Sequence, residues 1–140
     1  MKILVIDGQG GGLGKQLVAA LSARCPQTQL TAVGTNSLAA SAMRKAGAVR
    51  TATGENAVVY NCADADLIVG AIGIGFANSM HGEISPLMAQ AVSQSRAKKL
   101  LIPMNRCNVR VLGSGDNPLS DYLRELAEVV HSPEILGSCR

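Results

Sequence analysis

The chain has almost no aromatic residues: of its 140 residues none is Trp, one is Phe and two are Tyr. A hydrophobic core must therefore be built from Ile, Leu, Val, Ala and Met, packed closely around 15 glycines. Few rings are present to stack on bases, and the 13 basic and 10 acidic residues are scattered without a run of like charge. The net charge of +3 therefore does not indicate a protein that binds nucleic acid.

Long hydrophobic stretches are also missing. The N-terminal apolar run covers only residues 3–6, which is too short for the hydrophobic region of a signal peptide. No other stretch approaches the roughly 20 apolar residues of a membrane-spanning helix. The sequence therefore predicts a cytoplasmic protein that does not associate with a membrane.

Clustered metal ligands and cysteine pairs are absent from the sequence. Cys25, Cys62, Cys107 and Cys139 are widely separated and form no Cys-x-x-Cys pair, and no His stands at zinc-finger spacing from them. His81 likewise has no other ligand type at a spacing that suits a metal. We expect buried, reduced thiols and neither a metal site nor a redox pair.

Short apolar runs bounded by turn residues are spaced along the whole chain. Such runs, rich in Leu and β-branched residues, are typical of buried parallel strands. They predict strands at 3–6, 30–33, 67–72 and 99–102, a brief strand near Val49 and a further short strand at 109–112.

Between these runs the apolar residues recur at helical spacing. The first predicted helix has the buried stripe Leu13, Leu17, Val18 and Leu21 and ends at Pro26, and the second has the stripe Leu38, Ala42, Met43 and Ala46 and ends at Gly47. A third helix is predicted at 54–62, with Thr53 as N-cap and with Ala57, Val58 and Cys62 buried. A fourth begins at Ser85 and Pro86 and has the stripe Leu87, Met88, Ala91 and Val92, and a fifth is predicted at 119–130. Alternating strands and helices predict one α/β domain over residues 1–140, a three-layer α/β/α arrangement around a mainly parallel, doubly wound sheet.

A glycine-rich turn follows the first predicted strand and precedes the first helix. Glycine occupies positions 8, 10, 11, 12 and 14, which matches both G-x-x-x-G-x-G and G-x-x-G-x-x-G. In this context a glycine turn lets a phosphate approach the backbone and the free N–H groups of the helix. The pattern therefore predicts a Rossmann-like nucleotide site at Gly8, Gln9, Gly10, Gly11, Gly12, Leu13, Gly14 and Lys15. The alternative is a tight turn with a purely structural role.

The second strand lacks the residue that usually identifies a dinucleotide. An acid there would bind the adenosine ribose and an arginine would accept a 2′-phosphate, but the chain has Thr35 and Asn36. Asn36 could bond a ribose hydroxyl or cap the following helix. The Tyr-x-x-x-Lys pair of short-chain dehydrogenases is also missing, since Asp64 follows Tyr60 and Leu126 follows Tyr122 at that spacing. NAD and NADP stay candidate cofactors, without that dehydrogenase activity.

The end of the glycine turn also resembles a P-loop. Residues 11–15 are similar to the end of the variant Walker motif of ParA-like ATPases, which would let Lys15 reach a phosphate of ATP. Gln16, however, stands where Ser or Thr would hold magnesium. ATP is therefore the less favoured ligand.

A polar loop at 73–84 follows the fourth predicted strand. Gly73, Asn78 and Ser79 are its candidate ligand-binding residues, because loops after parallel strands meet at one edge of the sheet. Ser79 and His81 are too close in sequence to act as nucleophile and base. The alternative is a structural loop without a ligand, in which Glu83 bonds N–H groups at the start of the next helix. Further polar candidates near the same edge are Glu55, Asn105 and Arg106.

Over its whole length the chain resembles a family of short bacterial proteins that begin with a strand followed by Ile-Asp-Gly-Gln-Gly-Gly-Gly-x-Gly-Lys. The residues that carry the resemblance are 6–15, 34–36, 46–47, 52–57 and 77–80. That family is a domain of unknown function, so the resemblance implies a compact fold and no activity. A more distant similarity is to Rossmann-like nucleotide-binding domains.

These observations predict a small protein that binds a nucleotide or dinucleotide, with its phosphates at the glycine turn and no catalytic set that the sequence identifies. We also expect a homo-oligomer, because a domain of this size leaves half a cleft exposed. The residues leave three alternatives open: an oligomeric enzyme whose site is shared between subunits, a P-loop-like ATP-binding protein, and a structural or partner-binding protein without a ligand.

Overall fold

A computed structural model describes residues 1–25, 29–104 and 108–137. Five parallel strands form one sheet in the order β3-β2-β1-β4-β5. They are β1 (Lys2–Asp7), β2 (Gln29–Gly34), β3 (Arg50–Thr53), β4 (Leu67–Ala71) and β5 (Lys98–Ile102). The predicted parallel, doubly wound α/β fold is confirmed.

Helices cover both faces of the sheet. Their bounds are α1 (Gly12–Arg24), α2 (Ser37–Ala46), α3 (Glu55–Cys62), α4 (Pro86–Gln94), α5 (Leu119–Val129) and α6 (Pro133–Leu136). Successive residues of β1 point to opposite faces: Ile3 and Val5 pack with α1, α2 and α5, whereas Leu4 and Ile6 pack with α3 and α4. The sheet therefore separates the core into two apolar layers, one beneath the helices of each face.

The carboxyl ends of the central strands meet at one edge. Asp7 at the end of β1 is paired in register with Gly34 at the end of β2, which is paired in turn with Thr53 at the end of β3. On its other side β1 pairs with β4, so the chain order reverses between these two strands. Ligands of open α/β sheets bind at such a reversal, outside the carboxyl ends of the strands.

The predicted strand at 109–112 is wrong. Residues 108–113 form no strand, and the carbonyl of Val111 accepts hydrogen bonds from the N–H and the hydroxyl of Ser114 in a turn. Leu112 is 86% exposed, so no sheet buries this segment. A short apolar run becomes a strand only when a neighbouring strand supplies its hydrogen bonds.

Two helix faces and one cap also differ from the prediction. Leu38 is 73% exposed and Leu87 48% exposed, because small residues, including Ala39 in α2 and Ala89 in α4, occupy the positions against the sheet. The N-cap of α3 is Gly54 instead of Thr53. By contrast, Ser85 caps α4 as predicted, its hydroxyl accepting from the N–H of Met88 at 3.2 Å.

Two of the four cysteines lie in the described residues, and both are buried and free, as predicted. Burial raises the pKa of the Cys62 thiol to about 11, so this thiol stays protonated and unreactive at neutral pH. Cys107 and Cys139 lie outside the described residues. Among the helices of the described residues, none is both long enough and apolar enough to cross a membrane.

Candidate functional site

The glycine turn closes tightly between β1 and α1. The N–H of Gly11 donates to the carbonyl of Gly8 at 3.0 Å, and the N–H of Lys15 donates to the carbonyl of Gly11 at 2.9 Å. The backbone is left-handed at Gln9, with φ 52°, and at Gly11, with φ 74°. Glycine is suited to this conformation at Gly11, where a Cβ atom would also lie 2.9 Å from the Cα atom of Ala39 in α2.

The glycines of the turn fall into two groups. A Cβ atom at Gly14 would lie 2.6 Å from the sulfur of Met43 and 2.7 Å from the Cβ of Asp7, and one at Gly8 would lie 2.8 Å from the hydroxyl oxygen of Thr35. These positions are small because the protein packs closely around them. At Gly10 and Gly12 a Cβ atom would meet nothing within 4 Å, and neither has a positive φ. Packing within the described residues therefore does not explain these two glycines.

Asp7 is a buried acid at the start of the turn. Asp7 is the last residue of β1 and is 6% exposed. Its Oδ2 accepts a hydrogen bond of 2.6 Å from the N–H of Gly14. The first N–H groups of a helix lack partners within the helix and favour a negative charge. Asp7 therefore caps α1 from outside the helix, a role that the glycine pattern did not indicate.

Three donors of the turn have no acceptor among the described residues. No hydrogen bond to a described residue engages the N–H groups of Gly10, Gly12 and Leu13. These residues border a cavity of about 240 Å³ at the carboxyl ends of β1 and β4. Its lining consists of Asp7, Gly8, Gln9, Gly10, Gly12, Leu13, Gln16, Ala71, Met80, Met104 and Leu119. The cavity thus combines backbone N–H groups, one carboxylate and an apolar wall at the point where the strand order reverses.

A second carboxylate joins the three loops at this edge. Oε1 of Glu83 accepts from the N–H of Gln9 at 3.0 Å, from the hydroxyl of Thr35 at 2.6 Å and from the amide of Asn36 at 2.9 Å. Glu83 thereby connects the loops that follow β1, β2 and β4. We call Glu83 with Gln9, Thr35 and Asn36 the Glu83 clamp.

Glu83 therefore does not bond the start of the next helix, which was the structural alternative for this residue. That helix, α4, is capped by Ser85, while the Glu83 carboxylate reaches back to Gln9, 74 residues earlier. The hydrogen bond from Thr35, supported by those from Gln9 and Asn36, lowers the pKa of Glu83 below its ordinary value despite partial desolvation. Glu83 is consequently ionised at neutral pH.

Comparison with protein families assigns the chain. Residues 2–134 match the family described as Domain of unknown function (DUF3842). The chain belongs to this family. The resemblance to a domain of unknown function that the sequence indicated is confirmed.

The other comparisons add little about function. No curated protein matches the sequence. Among solved structures, a dodecameric FMN-dependent Ubix-like decarboxylase from Escherichia coli O157:H7 is similar, with a TM-score of 0.42 and 16% identity over 98% of this chain and 94% of that chain. The FMN dependence and the dodecameric assembly are properties of that enzyme.

The loop at 73–84 lies over the glycine turn in a constrained conformation. Its backbone is left-handed at Asn78, Met80, His81 and Gly82, and a Cβ atom at Gly8 would lie 3.0 Å from the sulfur of Met80. These turns place Met80 against the cavity and Glu83 against the loop after β2.

The three residues of that loop that were predicted to bind a ligand, Gly73, Asn78 and Ser79, lie outside the cavity lining. The hydroxyl of buried Ser79 donates to the carbonyl of Gly73, itself buried, so both stabilise the loop. Asn78 is exposed, with its N–H donating to the carbonyl of Ile84 at 2.6 Å. Since the Ser79 hydroxyl is engaged by Gly73, a nucleophile and base pair with His81 has no support.

Lys15 does not border the cavity. It is exposed at the end of the first turn of α1 and, with Lys45, borders a groove between α1 and α2. In a P-loop the lysine instead lies at the start of the helix and turns toward the phosphates. Thr35 and Asn36 both belong to the Glu83 clamp, and Asn36 also caps α2, its Oδ1 accepting from the N–H of Ala39 at 2.9 Å.

Glu55, Asn105 and Arg106 were the further polar candidates near this edge. Asn105 and Arg106 lie outside the described residues. Glu55 accepts a hydrogen bond of 2.5 Å from the hydroxyl of Ser85 and so joins the starts of α3 and α4. Within residues 1–25, 29–104 and 108–137, no three His, Cys, Asp or Glu side chains are grouped so that they could hold a metal ion.

The Glu83 clamp makes stability depend on pH. The folded-state pKa of Glu83 is lowered, so its stabilising contribution is present above the pKa of an unfolded glutamate, about 4.3, and is lost as the pH falls through the folded-state value. We expect Glu83→Gln to lower the melting temperature at about pH 7, and the difference from wild type to shrink as the pH falls below the pKa of an unfolded glutamate and through the lower folded-state value. Circular dichroism melts across this range measure it. A difference that stays constant with pH would contradict an electrostatic clamp.

Proposed function

We propose that this protein binds a nucleotide, with a phosphate group at the N–H groups of Gly10, Gly12 and Leu13. The observation that carries the proposal is that these donors lie at a cavity where the strand order reverses, while Gly10 and Gly12 have no packing reason to be glycine. A side chain at either position would stand where a ligand must approach the backbone. A helix N-terminus also favours an anion there.

The size of the cavity limits what it encloses. Ligand pockets usually measure about 300–1,000 Å³, and this cavity measures about 240 Å³. It therefore suits the phosphate and sugar end of a nucleotide, while the remainder extends along the sheet edge. A dinucleotide such as NAD or NADP would lie partly outside the cavity, which supports the alternative of a homo-oligomer whose neighbouring subunit completes the site.

The two carboxylates constrain the charge of the ligand. Asp7 and Glu83 already engage the N–H groups of Gly14 and Gln9, so a phosphate at either donor would meet a like charge. The phosphate is therefore expected on the side of Gly10 and Gly12, and ligands with few phosphates are favoured. Lys15 is not part of the cavity lining, and Gln16 stands where Ser or Thr would hold magnesium, so ATP bound as in a P-loop is disfavoured.

Among the described residues no catalytic arrangement accompanies the proposed site, so binding is favoured over catalysis. A second candidate, a structural or partner-binding protein without a ligand, is supported by one specific observation. The N–H groups of Gln9 and Gly14 are satisfied internally, by Glu83 and Asp7. A turn with a purely structural role needs its N–H groups to find acceptors within the protein, as these two do. An anion site needs only that some further N–H groups have no such acceptor.

Native mass spectrometry of the freshly purified protein, followed by a thermal-shift panel of AMP, NAD, NADP, ATP, GTP, coenzyme A and S-adenosylmethionine, tests the proposal. A ligand present at about 100 times its dissociation constant adds about 2.7 kcal/mol to the free energy of unfolding and should raise the melting temperature by several degrees. A co-purified or stabilising nucleotide supports the binding function. If no compound changes the mass or the melting temperature, the structural alternative is favoured.

Light scattering separates the shared-site enzyme from a self-contained binding protein. We expect a homo-oligomer, because the cavity is open and smaller than the proposed dinucleotides. A strict monomer would argue against a site shared between subunits and leave nucleotide binding by one chain as the simpler account.

A further inference from the structure

The two oxygens of the Glu83 carboxylate are used unequally. Oε1 accepts three hydrogen bonds, from Gln9, Thr35 and Asn36. Oε2 receives no hydrogen bond from any described residue. Glu83 is only half buried, so this second oxygen can accept a hydrogen bond from outside the protein. The carboxylate is thus held in one orientation by one oxygen while the other is available as an acceptor.

The position of Glu83 gives this acceptor a specific neighbourhood. In doubly wound sheets a nucleotide whose phosphate lies at the turn after β1 extends its sugar toward the end of β2. The Glu83 clamp spans this interval, since Gln9 belongs to the turn after β1 and Thr35 and Asn36 follow β2. Glu83 is not itself part of the cavity lining, but it adjoins Gly8 and Gln9, which are, and a Cβ atom at Gly8 would lie 3.3 Å from Oε1 of Glu83.

We propose that Glu83 binds the ribose 2′-hydroxyl of the bound nucleotide, and so supplies from the loop after β4 the acid that β2 lacks. The inference rests on the nucleotide function proposed above. A carboxylate fixed by three donors accepts a hydroxyl without the entropic cost of ordering a free side chain. A buried or half-buried carboxylate also rejects a phosphate at the same position through like-charge repulsion.

The proposal predicts how the protein selects among four nucleotides that differ at the ribose 2′ position. AMP and NAD carry a free 2′-hydroxyl, whereas adenosine 2′,5′-bisphosphate and NADP carry a 2′-phosphate. We expect the wild-type protein to bind AMP and NAD at least about tenfold more tightly than their 2′-phosphorylated counterparts. The comparison by isothermal titration calorimetry needs no variant, so it stands even where a substitution disturbs folding.

Variants then assign the selectivity to Glu83. Glu83→Gln keeps the length of the side chain and removes its charge, so the preference for AMP over the bisphosphate should fall to about threefold or less. Glu55→Gln is the matched control, because it removes one carboxylate at the same sheet edge that bonds Ser85 and not the clamp. Glu55→Gln should keep the wild-type preference.

The outcomes distinguish this inference from the proposed function. If the 2′-phosphorylated compounds bind as tightly as AMP and NAD, nucleotide binding stands and the role of Glu83 is overturned. The role is also overturned if Glu83→Gln, with a wild-type far-UV circular dichroism spectrum, keeps the full preference. If none of the four compounds binds, the ribose inference fails, and the proposed function then survives only where the wider ligand panel finds another nucleotide.

Discussion

Gly14→Ala is expected to destabilise the protein strongly, whereas Gly12→Ala, two residues earlier, should leave its stability unchanged or slightly higher. The new Cβ atom at position 14 would lie 2.6 Å from the sulfur of Met43 and 2.7 Å from the Cβ of Asp7. The Met43 side chain can move, but the Cβ of Asp7 is fixed to β1, so α1 must move away from the sheet. Overpacking of this kind costs about 1–3 kcal/mol, equivalent to a fall of roughly 3–12 °C in melting temperature.

Gly12→Ala is the matched control for this effect. Its Cβ atom would meet nothing within 4 Å, and replacing glycine at a compatible backbone position usually stabilises by about 0.4–1 kcal/mol. Differential scanning calorimetry of both variants and the wild type provides the measurement. Equal melting temperatures for the two variants would show that α1 and β1 are not packed as closely as the structure indicates.

Gly12→Val is expected to abolish most of the affinity for a stabilising nucleotide while leaving the fold intact. Gly12 is exposed, borders the cavity and supplies one of the three available N–H donors. A branched side chain here would occupy space that the ligand needs, and its Cβ atom would meet nothing within 4 Å. We expect the dissociation constant of the nucleotide identified by the thermal-shift panel to rise by more than about tenfold, a loss of about 1.4 kcal/mol.

Gly137→Val is a suitable control for this variant. Gly137 is also exposed, has a φ of −66° and would place a Cβ atom in open space, but it lies after α6 and does not border the cavity. It should bind the nucleotide as the wild type does. Retained affinity in Gly12→Val, with an unchanged far-UV circular dichroism spectrum, would refute the proposed phosphate position and favour a structural role for the turn.

The elements of the fold could be predicted because their signals are local. The apolar runs at 3–6, 30–33, 67–72 and 99–102 form β1, β2, β4 and β5, the brief strand predicted near Val49 is β3, and α5 begins at Leu119 as predicted. The errors occurred where local pattern competes with packing. Leu38 fits the apolar stripe of α2 by spacing, yet it is exposed because close approach of α2 to the sheet favours Ala39 and Ala40. The segment 109–112 has strand-like composition but no neighbouring strand.

The candidate site was predicted only in part. The glycine turn has a recognisable spacing, and its position between β1 and α1 follows from the alternation of strands and helices. The role of Glu83 could not be recognised in the same way, because its partners Gln9 and Thr35 are 74 and 48 residues away. Asp7 was closer, seven residues before Gly14, and an acid at the end of β1 is the signal that could have identified it.

By itself the amino-acid sequence determined the class of the fold, the family of the chain and the position of the glycine turn. Each of these depends on residue types at short spacings, since hydrogen bonding within helices and alternation along strands are local. The tertiary structure decided which glycines are small because of packing, and it brought Asp7 and Glu83 to donors of the turn. The Glu83 clamp depends on three loops meeting at the carboxyl ends of parallel strands, an arrangement that is set only when β1, β2 and β4 align in one sheet.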